Sequence, residues 1–228
     1  MVTDDRIFLR SWIAANGVAE AVGLGTTFVL GSAAAPLLEA DRDVMGVVGV
    51  AILAVLLGTF LEGVVVGIAQ GAVLEARCPD VRRHAWVMAT SLGAGLAWLV
   101  GMIPSTVMSL SAPPTAQSPI QEPALLIQLL LAAGLGLVTG PILGGAQWAV
   151  LGRHLPRSAP WLWANALAWA FGMPVIFAGM NLVPWTGTAV ARIAAIYSVC
   201  LAAGLIVGAV HGVVLTRMTR TAARTAAT

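Results

Sequence analysis

Two carboxylic acids stand inside otherwise apolar runs, Glu20 in WIAANGVAEAVG (12–23) and Glu62 in VLLGTFLEGVVV (55–66). An ionisable group among apolar neighbours is costly, so such a residue is expected to hold a proton, a cation or an amine-bearing ligand. Otherwise it is bonded to a Ser, Thr or Trp as glue between helices. Two further polar sets recur along the chain. Asn16, Thr90 and Asn165 each follow a tryptophan by four residues, and Gln70, Gln147 and His211 each close a Gly-x-x-x-Gly-x-x-[Gln/His] pattern. Residues three, four or seven apart share a helix face, so Glu20 lies on the face of Asn16. Glu62 falls roughly 80° around its helix from Gln70 by the 3.6-residue period, and the two acids need not face one another. Asn16 and Gln70 both sit about 8 Å inside one end of their runs, at 1.5 Å per residue, which lets the Asn/Thr/Asn and Gln/Gln/His sets meet at one depth. Either they cross-link helices by hydrogen bonds worth about 1 kcal/mol each, or they converge on an axis and line a site. The candidate ligand-binding residues are therefore Glu20, Glu62, Asn16, Thr90, Asn165, Gln70, Gln147 and His211.

No catalytic or cofactor motif accompanies them. Ala89-Thr90-Ser91-Leu92-Gly93 lacks the first glycine of a nucleophile elbow, and Gly134, Gly136 and Gly140 have neither the spacing nor the strand-to-helix context of a dinucleotide fingerprint. His84 and His154 stand at the rim of apolar runs without ligand spacing. The sequence predicts no metal, no cofactor and no enzyme, the alternative to the last being an intramembrane enzyme that uses Glu20 or Glu62.

The elements that position these residues are set by composition. Of 228 residues, 59% are hydrophobic and 10% charged, with a net charge of +2 and a mean hydropathy of +0.91. A globular domain carries about 25% charged residues, so most of this chain has lipid as its solvent. Arginines too few and too scattered for a nucleic-acid footprint exclude that partner. Runs long enough to cross a bilayer, about 20 apolar residues, lie near 12–37, 44–75, 85–110, 124–151, 161–183 and 188–216. The second and fourth exceed the need and are expected to tilt, project or break near Gly58 and Pro141.

Arg6, Arg10, Arg77, Arg82, Arg83, Arg153, Arg157, Arg217, Arg220 and Arg224 all fall at one end of these runs. Arg42 and Arg192 fall at the other, where the connection SAPPTAQSPIQEP (111–123) has no basic residue. Cytoplasmic connections retain the cations, so both termini are expected in the cytoplasm. The all-Arg basic set suits a GC-rich bacterial genome, hence an inner membrane. Trp12, Trp86, Trp161, Trp163 and Trp185 stand at run ends as an aromatic belt would, while Trp98, Trp148 and Trp169 sit further in. Cys78 and Cys200 fall at different depths and are expected as free thiols.

Internal repetition organises the rest. WIAANGVAEAVG (12–23) and WLWANALAWAFG (161–172) agree at six of twelve positions, with WVMATSLGAGLA (86–97) as a weaker third copy. GVVVGIAQGAVL (63–74), GPILGGAQWAVL (140–151) and GLIVGAVHGVVL (204–215) all read G-x-x-x-G-x-x-[Q/H]-x-x-V-L. The expected fold is all-α: a single membrane domain (1–228) of six transmembrane helices. These form three tandem helical hairpins at 10–82, 83–157 and 158–220, pseudo-threefold about the membrane normal. Because the first run matches the third and fifth, the Ser32-Ala33-Ala34-Ala35-Pro36 stretch is read as part of the fold, not a signal-peptide cleavage site.

Through GGAQWAVLGR (144–153) and WLWANALAW (161–169), the chain resembles a group of bacterial multi-pass membrane proteins built from G-x-x-x-G-x-x-Q-W-x-x-L-R helices followed by a Trp-rich helix start. That resemblance spans most of the chain, implies the repeated helix pattern, and carries no activity. Mitochondrial carriers share the three-hairpin outline, but their Pro-x-acidic-x-x-basic signature is missing. The leading expectation is a membrane protein that binds or conducts a small solute or lipophilic ligand. The alternative is an accessory or scaffolding subunit that docks membrane-protein partners in the bilayer through its glycine-rich faces and Arg-rich rim.

Overall fold

Once a chain segment lies in hydrocarbon, every backbone N–H and C=O must be bonded internally, which leaves helices as the open-chain solution. The computed structural model describes residues 4–38, 44–111 and 123–225 and holds helices without strands among them. Six are long and apolar enough to cross a membrane: α1 Asp5–Leu38, α2 Val44–Arg77, α3 Arg83–Ser111, α4 Leu125–Leu151, α5 Pro160–Met180 and α6 Ala189–Thr225. The chain thus has the make-up of a multi-pass membrane protein. Arg42 and the loop interior at 112–122 lie outside the described residues, as do the side chains of Ala35, Pro36 and Arg224.

Each helix packs on its neighbours in chain order, and α6 returns to pack on α1, so the six form a closed ring. Helices in lipid gain little from the hydrophobic effect and associate by close packing and hydrogen bonds. Here glycines permit that approach. A Cβ on Gly67 of α2 would stand 2.9 Å from the Val87 Cα of α3, one on Gly144 of α4 2.9 Å from the Asn165 Cβ of α5, and one on Gly208 of α6 2.8 Å from the Asn16 Cβ of α1.

The anticipated break at Gly58 is a single π-helical turn, Gly58–Glu62, closed by the Gly63 N–H on the Gly58 carbonyl, and α2 continues through it. The Trp98 indole of α3 fills the space a side chain at position 58 would need. Pro141, by contrast, lies within an unbroken α4. At the Arg-rich end, Arg77 ion-pairs with Asp5, donates from Nε to Thr219 Oγ1 at 3.3 Å, and has its guanidinium carbon 5.4 Å from the Phe8 ring centroid. One arginine thereby ties α2 to α1 and α6.

The aromatic-belt expectation needs correction. Trp163 and Trp185 do face outward, but Trp12, Trp86 and Trp161 are 0% exposed. Each shares a face with a buried Asn or Thr four residues on, which turns it into the ring rather than toward headgroups. Trp148, expected further in, is 40% exposed, whereas Trp169 is buried.

Candidate functional site

The three inward tryptophans form a near-equilateral triangle. Ring centroids are 6.5 Å apart for Trp12 and Trp86, 6.2 Å for Trp12 and Trp161, and 6.0 Å for Trp86 and Trp161. Their tilted, edge-directed arrangement is the favourable one for aromatic quadrupoles. Each indole N–H donates to a polar residue of an even-numbered helix: Trp12 to His211 Nδ1 at 2.9 Å, Trp86 to Gln70 Oε1 at 3.2 Å, and Trp161 to Gln147 Oε1 at 3.2 Å. A neutral imidazole accepting at Nδ1 carries its proton on Nε2.

Above the triangle the amides bond one another. Gln70 Nε2 donates to Asn16 Oδ1 at 2.8 Å, and Gln147 Nε2 reaches both Thr90 Oγ1 and Gln70 Oε1 at 3.0 Å. Asn16 and Asn165 each donate from Nδ2 to the carbonyl of the tryptophan four residues before, at 2.7 and 3.0 Å. Asn16, Thr90, Gln70 and Gln147 are thus bonded to one another, while His211 and Asn165 join the layer through Trp12 and Trp161, and all six are at most 2% exposed. With Phe8 and Leu215 packed beside it, the layer closes the Arg-rich end of the ring.

The two acids lie on the other side of this floor. Gly23 of α1 lets the Glu62 backbone approach, a Cβ there standing 2.9 Å from the Glu62 Cα. Gly204 of α6 makes room for Glu20, whose Cβ would stand 2.7 Å from a Cβ at 204. Both carboxyls are buried and lie within Coulombic reach of one another and of the Cys200 sulfur. The helical period alone left that meeting open. Glu62 accepts from the Trp98 indole N–H at 2.7 Å, a bond between α2 and α3. Among the described residues Glu20 Oε2 has no hydrogen-bond partner, nor have Thr27 Oγ1 and Ser91 Oγ. Buried polar groups in native structures are overwhelmingly bonded, so these three atoms are the polar groups of the upper interior available to a ligand, an ion or water. Among the described residues no cluster of His, Cys, Asp or Glu has metal-binding geometry.

Packing loosens away from the floor. No residue of α3 beyond Gly95 and none of α4 before Ala132 is buried, and a Cβ on Gly101 or Gly134 would meet nothing within 4 Å. Arg192, at this end, bonds the Trp185 carbonyl at 3.5 Å.

Cys78 and Cys200 are both free. Burial pushes the Cys78 thiol up from its ordinary value, with Arg77 pulling the other way and Asp80 adding to the rise. The thiolate is the reacting species, so in a Cys200→Ala background Cys78 is expected to take up maleimide several-fold more slowly than free cysteine at neutral pH. Equal rates would mean that the turn after α2 is open to solvent.

Fold and site together define a six-helix protein of membrane-spanning make-up with a hydrogen-bonded floor and an acid pair above it. No protein-family model matches the chain, and no curated protein or solved structure resembles it significantly.

Proposed function

We propose that this chain binds a small cationic or amine-bearing solute inside a six-helix bundle, with Glu20 and Glu62 as the charge-bearing ligands. The Trp-capped amide layer is the floor that separates them from the Arg-rich side. The observation that carries this reading is the unpartnered Glu20 Oε2 within Coulombic reach of the buried Glu62, since two acids in an apolar interior call for a proton or a bound cation. Loose packing of α3 and α4 above them supplies the direction of access. A floor without an opening favours binding over conduction along the axis.

The reading includes a threefold arrangement of hairpins about the membrane normal. Its support is the cyclic order of contacts: Trp86 of the second hairpin bonds Gln70 of the first, Trp161 of the third bonds Gln147 of the second, and Trp12 of the first bonds His211 of the third. By the distribution of arginine, the floor faces the cytoplasm of a bacterial inner membrane, with both termini on that side.

Thermal melts of the detergent-purified protein with sodium, tetramethylammonium, ethylammonium and spermidine test the assignment. At least one is expected to raise the melting temperature in a saturable way, and Glu20→Gln to abolish the rise while leaving the unliganded melt near wild type. Failure of every probe, or an unchanged response in both Glu20→Gln and Glu62→Gln, overturns it.

One observation favours a second reading as an accessory subunit: beyond Gly95 of α3 and before Ala132 of α4 no residue is buried, and many apolar side chains there are exposed. A single monodisperse species after gentle solubilisation from native membrane counts against that role.

A further inference from the structure

On the outer side of α2 and α3, at their Arg-rich end, lies an open groove of about 880 Å³ whose lining includes Ile68 and Glu75 from α2, Arg82 from the connection, and Arg83, His84 and Met88 from α3. Its two ends differ in chemistry. At the rim stand two guanidinium groups, the His84 imidazole and a carboxylate. Ile68 lies about 10 Å deeper along α2 than Glu75, seven residues at 1.5 Å each, and there the walls are apolar, with Ile68 45% and Met88 62% exposed.

Charges of both signs share the rim without neutralising one another. Among the described residues no ion pair joins Glu75 to Arg82 or Arg83; the ion pairs present belong to Arg77 and Arg220 with Asp5. The Arg83 stem lies over Gly71, where a Cβ would stand 3.1 Å from its Cγ, and the Arg83 Nη2 bends inward to the Ile68 carbonyl at 3.4 Å. That single long bond leaves most of the guanidinium donors free. An arginine drawn down toward hydrocarbon beside a free carboxylate is complementary to an occupant with an anion at the depth of the arginines, a cation at Glu75, and an apolar body below.

We infer that this groove is a binding site for a membrane phospholipid whose headgroup carries both a phosphodiester and a primary ammonium. The phosphate would sit on Arg82 and Arg83, the ammonium on Glu75, and an acyl chain along Ile68 and Met88. Guanidinium matches phosphate in a bidentate fork, and a primary ammonium donates three hydrogen bonds where a trimethylated one donates none. Glu75 therefore selects ethanolamine headgroups over choline and glycerol. This inference is independent of the acid pair in the ring.

Native mass spectrometry of the purified full chain, equilibrated with equal amounts of phosphatidylethanolamine, phosphatidylcholine and phosphatidylglycerol of one acyl composition, reads the preference directly. Wild type is expected to retain phosphatidylethanolamine several-fold over the other two. Arg82→Gln/Arg83→Gln should lose retention of all three. Glu75→Gln should still bind phospholipid but lose the preference for ethanolamine, with thermal melts checking that both variants keep their fold. Equal retention of the three lipids by wild type, or a wild-type pattern in either variant, overturns the assignment.

Discussion

Trp161→Ala is expected to lower stability by about 3 kcal/mol, toward the low end of the range for deleting a buried Trp. The transfer part is small here, because an indole leaving the interior of this ring finds lipid nearly as apolar. Packing and bonding supply the loss. The Trp161 ring lies 6.2 Å from Trp12, 6.0 Å from Trp86 and 5.2 Å from His211, centroid to centroid, and its N–H satisfies Gln147 Oε1. Alanine would open a cavity at the centre of the floor and remove that donor. Trp161→Phe keeps most of the volume and should cost about 1 kcal/mol, the ordinary net worth of one hydrogen bond. Equilibrium unfolding in mixed micelles measures both. Trp163→Ala, two residues away but 74% exposed, is the control and should stay within about 0.5 kcal/mol of wild type. If Trp161 and Trp163 behave alike, the triangle does not hold the bundle together.

That contrast also shows where the sequence was readable. Six helices, their limits apart from the first turns of α1 and the last turns of α6, and the bonding of Asn16 and Thr90 to Gln70 and Gln147 followed from hydropathy and from the Gly, Asn and Gln spacing, because those signals are periodic and lipid tolerates few alternatives. The tryptophans were misplaced because the belt rule uses position along a span and ignores the face. Trp12 lies four residues before Asn16, and Trp161 four before Asn165, so the face was encoded but carried less weight than the end position. That Glu20 and Glu62 come within Coulombic reach was not legible, since it depends on how α1 and α2 close at Gly23. The π turn has no sequence signature beyond Gly58, whose missing side chain is explained by an indole 40 positions further on.

Gly140→Ala is expected to cost about 2–3 kcal/mol, an overpacking penalty, for the addition of a single methyl group. A Cβ at 140 would overlap the Asn165 carbonyl oxygen and stand 2.8 Å from its carbon and 2.9 Å from the Ala166 Cα. All three are backbone atoms of α5, so no rotamer change relieves the contact, and α4 and α5 must move apart. Separation cannot stay local. Gly136 faces the Trp169 carbonyl and Gly144 the Asn165 side chain along the same seam, and Gln147 is bonded to Trp161 across it. Widening the seam therefore pulls on the floor as well as on the helix pair. Gly134→Ala lies on the same helix in open space, where alanine's better helix propensity is free to stabilise by up to about 1 kcal/mol. Thermal midpoints of the two variants in one detergent are expected to shift in opposite directions. Equal midpoints would mean that α4 and α5 do not approach to backbone contact, and the inward orientation of Gln147 would lose its support.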